Sequence, residues 1–174
     1  MVLIRPMRGR EDTSAILQVD TAFSTDRIYS LKRSGLSFNL EEIEISPALQ
    51  KDYGQITDLD KYPFVVVAEE GTTICGFAAV NIETWNRRAV LDHLYVSNRY
   101  RGLGIGRLLV QSCIEYAKNS HVRCLWLETQ NINYPAVHFY QRMQFEWCGL
   151  DNELYDEAEL NGHEIALYFV RRIE

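Results

Sequence analysis

The stretch from Ala89 to Gly106, Ala-Val-Leu-Asp-His-Leu-Tyr-Val-Ser-Asn-Arg-Tyr-Arg-Gly-Leu-Gly-Ile-Gly, leaves few folds open to this chain. Val90, Leu94 and Val96 supply the β-branched and apolar content of a buried strand, and Ser97-Asn98 supplies turn chemistry. Gly102, Gly104 and Gly106 then remove Cβ atoms where the backbone can approach a ligand. Beyond them Val110, Cys113, Ile114 and Ala117 recur at the i, i+3, i+4, i+7 spacing of one helical face. The start of such a helix carries four N–H groups without intrahelical partners and the positive end of the dipole. A pyrophosphate fits there. The glycine spacing is neither the Gly-x-Gly-x-x-Gly of a dinucleotide fold nor a nucleoside-triphosphate loop, since no Gly-Lys-[Ser/Thr] follows.

Around this core the pattern reads as one α/β domain over residues 1–174. Val2 to Met7 predicts a first strand. A helix is predicted from about Thr13 to Ala22, capped by Asp12 or Thr13, and a second from Ser24 through Ile28 and Leu31 to about Gly35. Phe38 to Ile45 alternates as a strand or extended edge, and Pro47 to Lys61 reads as a short helix plus loop whose Asp52, Asp58 and Asp60 form a solvated face. Phe64 to Ala68 and Ile74 to Ile82 predict strands joined at Glu70-Gly71-Thr72, so three antiparallel strands lead into the glycine loop. Cys124 to Thr129 is the next strand and completes a βαβ unit with parallel neighbours. Asn133 caps a short helix with Pro135 in its first turn and Ala136, Phe139, Tyr140 and Met143 on one face. Phe145 to Leu150 and Glu164 to Val170 close the chain as a strand pair around an acidic loop, Asp151 to Glu159.

Composition narrows the function. A net charge of −6 argues against a generic nucleic-acid binder and suits a cationic acceptor, while also serving plain solubility. No apolar run has the length of a membrane span, and Met-Val-Leu-Ile-Arg-Pro-Met-Arg lacks the apolar core of a signal peptide, which gives the expectation of a cytoplasmic protein. Cys75, Cys113, Cys124 and Cys148 show no Cys-x-x-Cys spacing and read as reduced core thiols. His93, His121, His138 and His163 form no ligand pair at helical spacing, so no metal is expected.

Arg101-Gly102-Leu103-Gly104-Ile105-Gly106 after a Leu-x-Val strand resembles the first signature of the GNAT superfamily of N-acetyltransferases, and Asn133-x-x-Ala136-x-x-x-Tyr140 resembles the second. Asn86-Arg87, Leu127-Glu128-Thr129-Gln130 and Phe139-Tyr140 look further like the streptothricin acetyltransferases, which acetylate the antibiotic's β-lysine amine. One departure is Gln144-Phe145, where that family has Gly-Phe; a less strained helix exit would account for it. The resemblance implies the GNAT fold: a mixed central sheet with antiparallel N-terminal strands and a splayed parallel pair, flanked by helices. It also implies two helices after the first strand as a wall of the acceptor site, and acetyl-CoA as cosubstrate without a metal. Its diphosphate would meet the loop amides of Arg101, Gly102, Leu103, Gly104, Ile105, Gly106 and Arg107. Its arm would run along Leu94, Tyr95 and Val96 and past Asn133, Ala136 and Tyr140. A homodimer is compatible, although no stretch marks an interface.

The implied chemistry is direct transfer to an amine. An amine of pKa about 10 is mostly protonated at neutral pH, so a base must take a proton; Asp92 is the first candidate and Glu128 the second. An edge carboxylate pairing with Arg87 or Arg88 is an equal reading of Asp92. Tyr140 is placed to protonate the departing thiolate, and a backbone N–H near Leu94 or Tyr95 to meet the thioester oxygen. Trp85, Tyr95, Trp126 and Trp147 are candidates to line the acceptor site. The acceptor stays open between streptothricin or another small cationic amine and a protein N-terminus or lysine. A non-catalytic acyl-CoA-binding module is the alternative from another class.

Overall fold

The computed structural model describes residues 1–156 and 164–173. In chain order the elements are β1 (Val2–Pro6), α1 (Arg10–Ile16), β2 (Phe23–Ser34), β3 (Ser37–Lys51), β4 (Phe64–Glu70), β5 (Thr73–Glu83), β6 (Arg88–Val96), α2 (Ile105–Asn119), β7 (Cys124–Gln130), α3 (Tyr134–Arg142), β8 (Glu146–Asp151) and β9 (Ala166–Arg172). They gather into two compact units, the first from residues 1–22, 52–127 and 171–173, the second from residues 23–51, 128–156 and 164–170.

In the first unit β1, β4, β5 and β6 pair antiparallel in that order, and β7 joins β6 in parallel. Antiparallel neighbours need only short turns, whereas the parallel pair needs a crossover, which α2 provides. That helix buries Ile105, Leu109, Val110, Cys113, Ile114 and Ala117 and lies against β4, β5 and β6. The predicted stripe is therefore the packed face, with Tyr116 stacked on Phe64 at 4.3 Å between ring centroids. A separate apolar cluster joins Ile16 and Val19 to Val65, Val67, Ile74, Phe77 and Ala79.

The predicted Thr13–Ala22 helix is corrected: α1 begins at Arg10 and ends at Ile16, and Asp12 caps nothing. Its carboxylate is buried, accepting 2.6 and 2.9 Å hydrogen bonds from the Arg5 guanidinium and a 2.7 Å bond from the Arg8 amide. Arg5 also donates to Glu69 at 2.7 Å. A bidentate charged pair satisfies a buried carboxylate better than two helix amides do, so the helix starts earlier.

In the second unit the predicted helix from Ser24 to Gly35 is absent. Phe23–Ser34 is strand β2, paired antiparallel with β3 through Ser34↔Ser37, and Gly35 is the left-handed turn residue of that hairpin rather than a helix end. The expected pair of helices after the first strand is thus replaced by one helix, α1, in the first unit and a β-ribbon in the second. Arg27 bridges Glu42 and Glu44 across the strands at 2.6 and 2.9 Å. The Tyr29 backbone is bonded twice to Asn131, whose carbonyl accepts from the Tyr29 amide at 3.0 Å and whose side-chain amide donates to the Tyr29 carbonyl at 2.9 Å. The strand expected from Phe38 to Ile45 is the first half of β3, which runs on to Lys51 where a short helix was predicted; the helical turn that follows is a 3₁₀ turn at Leu59–Lys61. The closing strand pair is β8 with β9, antiparallel.

Asp12→Asn is expected to lower stability by about 3 kcal/mol, the size associated with breaking a buried charge pair from one side. The hydrogen bond from Arg5, foremost, holds the Asp12 carboxyl below the usual carboxylate range. Its contribution is present above the unfolded value near about 3.9 and is lost as pH falls through the folded one, so the gap between parent and variant in denaturant titrations should narrow in acid.

Candidate functional site

The parallel ladder of the first unit is short. Arg88 faces Cys124, Ala89 faces Leu125 and Val90 faces Trp126, and there the β6–β7 register ends, whereas on its other side β6 stays paired with β5 as far as Gly76↔Val96. The Arg88 guanidinium lies 4.1 Å over the Trp126 ring and its Nε donates to Glu83 at 2.5 Å. Arg88 is thereby committed to Glu83, not to Asp92. The Asn86-Arg87 pair belongs to the same turn: the Asn86 amide donates to Glu83 at 3.0 Å and the Arg87 guanidinium to the His121 carbonyl at 3.2 Å.

Asp92 is the extra residue of a β-bulge, since Val80 pairs with Leu91 and Ala79 with His93. A bulge re-aims the side chain it carries. Asp92 is exposed as a residue, yet the protein around its carboxyl pushes the pKa up, with Lys61 pulling the other way and Glu83 adding to the rise. Next to it, burial brings His93 down to about 4, and its Nε2 sits 3.0 Å from the Tyr62 hydroxyl. The Tyr95 ring packs 5.6 Å from Phe77 and 5.8 Å from Tyr53.

After β6 a 3₁₀ turn at Asn98–Tyr100 leads into the glycine loop. Arg101 secures that loop: its Nε donates to the Val96 carbonyl at 2.8 Å and its Nη2 to the Ala22 carbonyl at 2.6 Å. Gly104 is the residue before α2, with φ of 81°, and no side chain caps the helix. The amides of Ile105, Gly106 and Arg107 in the first turn are among those an α-helix cannot satisfy internally. A Cβ built on Gly102 or Gly104 would meet nothing within 4 Å, so the space before this backbone is open. Leu94, Tyr95, Val96 and Arg101 to Arg107, together with Asp92, thus fall on one continuous strand-loop-helix segment of the first unit.

Glu128, Asn133, Ala136 and Tyr140 fall in the second unit. Glu128 lies on β7, and its Oε1 accepts from the Tyr155 hydroxyl at 2.5 Å. Burial raises the Glu128 carboxyl, Tyr155 and Lys51 lower it, and Glu164 raises it again. Asn133 caps α3 as expected, accepting from the Ala136 amide at 3.2 Å, with Pro135 in the first turn. Tyr140 is buried among Phe139, Phe145 and Phe169, with ring centroids 5.4 to 6.5 Å away. The helix exit corrects one expectation. Gln144 has φ of 64°, so the left-handed conformation that a glycine takes without cost is retained at this position by a glutamine.

Sequence reasoning missed Tyr155, Lys51 and Glu164 around Glu128, and Tyr62 beside His93; no spacing connects them, since each pair meets only through the fold. The reading of four core thiols is corrected for Cys148, which is exposed, while Cys75, Cys113 and Cys124 are buried. Trp85 projects into solvent at 84% exposure. The Glu157–Glu159 part of the expected acidic loop, and His163, lie outside the described residues. Among the described residues no group of three or more His, Cys, Asp or Glu is arranged to hold a metal, and no helix is long and apolar enough to cross a membrane.

Residues 26–145 match the acetyltransferase (GNAT) family. The chain is 36% identical to streptothricin acetyltransferase of Streptomyces lavendulae over 90% of this chain and 88% of that protein. It is 27% identical to streptothricin acetyltransferase of Escherichia coli over 91% and 90%. The crystal structure of nourseothricin acetyltransferase superimposes with a TM-score of 0.90 at 34% identity, covering 99% of both chains. A Bacillus anthracis protein solved in complex with acetyl coenzyme A superimposes at 0.85 and 25% identity, again over 99% of both.

A Cβ at Gly76 would stand 2.7 Å from the Tyr95 carbonyl oxygen and 3.1 Å from Val96 Cγ2. Gly76→Ala is therefore expected to push the end of β6 off β5, costing about 1–3 kcal/mol. Faster amide exchange at Leu94 to Val96, with the β1–β4 amides unchanged, is the measurement that checks it.

Proposed function

The chain belongs to the acetyltransferase (GNAT) family, and we propose that it moves the acetyl group of acetyl-CoA directly onto a primary amine of a small cationic acceptor, the β-lysine amine of streptothricin. The observation that carries the acceptor is the likeness to two streptothricin acetyltransferases along nine-tenths of the chain, rather than over the cofactor loop alone. The coarser activity, acetyl-CoA-dependent N-acetyl transfer, follows from the family itself.

In this reading the diphosphate sits at the start of α2. Support comes from the uncapped first turn, the left-handed Gly104 and the open space before Gly102 and Gly104. Arg101 acts by fixing the loop through the Val96 and Ala22 carbonyls rather than by reaching for the ligand. The thioester lies along Leu94 to Val96, where β6 continues past the end of its ladder with β7 and a backbone N–H is at hand for the developing oxyanion.

The acceptor arrives as an ammonium, and a carboxylate takes its proton. Burial raises both carboxyls, and Glu128 is favoured over Asp92 as that base because its residue is half-buried and one of its oxygens is held by a hydrogen bond, whereas Asp92 sits on a bulge as an exposed residue. The neutral amine attacks the thioester carbon, the tetrahedral intermediate collapses, and Tyr140 gives a proton to the departing thiolate. No covalent enzyme intermediate is needed. Asn133 and Ala136 contact the cofactor arm in this scheme.

Free thiol released from acetyl-CoA in the presence of streptothricin, and not with peptides bearing a free N-terminus or lysine, is the expected result. Release with peptides alone would replace the acceptor, and binding of acetyl-CoA without release on any amine would leave a sensor. Gly104→Val, a β-branched residue at positive φ, is expected to abolish acetyl-CoA binding in calorimetry while the folded fraction stays sufficient for the measurement. Tyr140→Phe is expected to keep acetyl-CoA affinity and lower kcat by about 10²–10⁴-fold; parent turnover at every pH would remove Tyr140 from the reaction.

A further inference from the structure

Resting on the reading of Glu128 as the base, we propose that Tyr155 is a positioning residue for acetyl transfer: its hydroxyl fixes Glu128 through Oε1 and leaves Oε2 as the oxygen that takes the acceptor's proton. The Tyr155 hydroxyl donates to Oε1 at 2.5 Å, and among the described residues no hydrogen bond goes to Oε2. Glutamate has three rotatable bonds, so a half-buried carboxylate with a single task needs one oxygen anchored if the other is to hold its direction.

Tyr155 is itself held. The Lys51 ammonium lies 6.0 Å over its ring, and Lys51 is tied to Glu164 at 2.5 Å. Glu164, Lys51, Tyr155 and Glu128 thus form one chain of contacts drawn from the residue pair before β9, the end of β3, the segment after β8 and β7. The order of charges in that chain matters. Were Lys51 paired with Glu128 directly, a full positive charge at contact would stabilise the carboxylate and make it a poor base. With Glu164 taking Lys51, the group left to hold Glu128 is a neutral phenol, which supplies direction through a hydrogen bond at a smaller loss of basicity. Among the described residues, the charged and titratable groups that act on the Glu128 carboxyl are Tyr155, Lys51 and Glu164.

Tyr155→Phe, which keeps the ring and removes the hydroxyl, tests this in full-length enzyme with streptothricin and acetyl-CoA. Because the hydroxyl lowers the Glu128 carboxyl, its removal is expected to move the acidic limb of the kcat/KM profile to higher pH. kcat near neutrality should fall about tenfold, with KM for acetyl-CoA unchanged. Glu128→Gln and the double variant separate the two levels of the claim. Loss of turnover in Glu128→Gln, with no further loss on adding Tyr155→Phe, supports positioning through Glu128. An inactive Glu128→Gln beside a Tyr155→Phe variant with parental kcat and pH profile overturns the role of Tyr155 alone. Parental turnover in Glu128→Gln overturns the reading of the base, and the positioning role with it.

Discussion

Three residue pairs between parallel strands, ending at Val90 and Trp126, govern the first unit. A parallel ladder of any length obliges the chain to return by a crossover, and here the crossover is α2, whose N-terminus is reached within nine residues of the last β6 residue, counting from Val96 to Ile105. Arg88, at the start of the ladder, lies over Trp126 at its end and is paired with Glu83, and the strand beyond the ladder is kept in place by β5. The consequence is a strand whose far half is rigid without using both of its edges. Backbone polar groups there must be met by something other than a β7 ladder, and a polar arm such as pantetheine is of the right kind.

That part of the molecule was legible because its signals are local. β-Branched runs such as Val65-Val66-Val67 form strands whatever surrounds them, the helical stripe of α2 spans 15 residues, and Asn133 followed by Pro135 specifies a helix start within three positions. The hairpin of β2 and β3 failed the same test for a physical reason. Ile28 and Leu31 sit three apart and suit one helix face as well as they suit a strand, and Gly35 in a left-handed conformation ends a helix and turns a hairpin equally well. What decides is remote: the Arg27 bridges to Glu42 and Glu44 and the Tyr29 bonds to Asn131. Asp12 was misread likewise, because its partner Arg5 is on another element and a capping pattern looks the same with or without it.

The two carboxylates show the limit of spacing as a guide to chemistry. Sequence ranked Asp92 ahead of Glu128, both being carboxylates at strand positions. Their environments differ: one sits at a bulge as an exposed residue with Lys61 as an opposing charge, the other is half-buried with a phenol on one oxygen. A bulge is invisible in the strand's own sequence, since it is a mismatch of count between two strands. Tyr155 follows β8 after an irregular segment that carries no periodicity, so only the fold brings its hydroxyl to Glu128.

Gln144 bears on how a signature should be weighed. The sequence departs from the Gly-Phe of the streptothricin enzymes there, and a departure of that kind invites the inference that the backbone has changed. In this chain the exit is left-handed: φ at Gln144 is 64°, and the Phe145 amide donates to the Tyr140 carbonyl at 3.0 Å. The exit of α3 thus makes a conformational demand that a glycine would meet without strain and that a glutamine meets here at a cost of about 1–2 kcal/mol. In this chain the turn at Gln144 returns the strand toward Tyr140, and packing of Tyr140 against Phe145 and Phe169 offsets the strain of a non-glycine residue there.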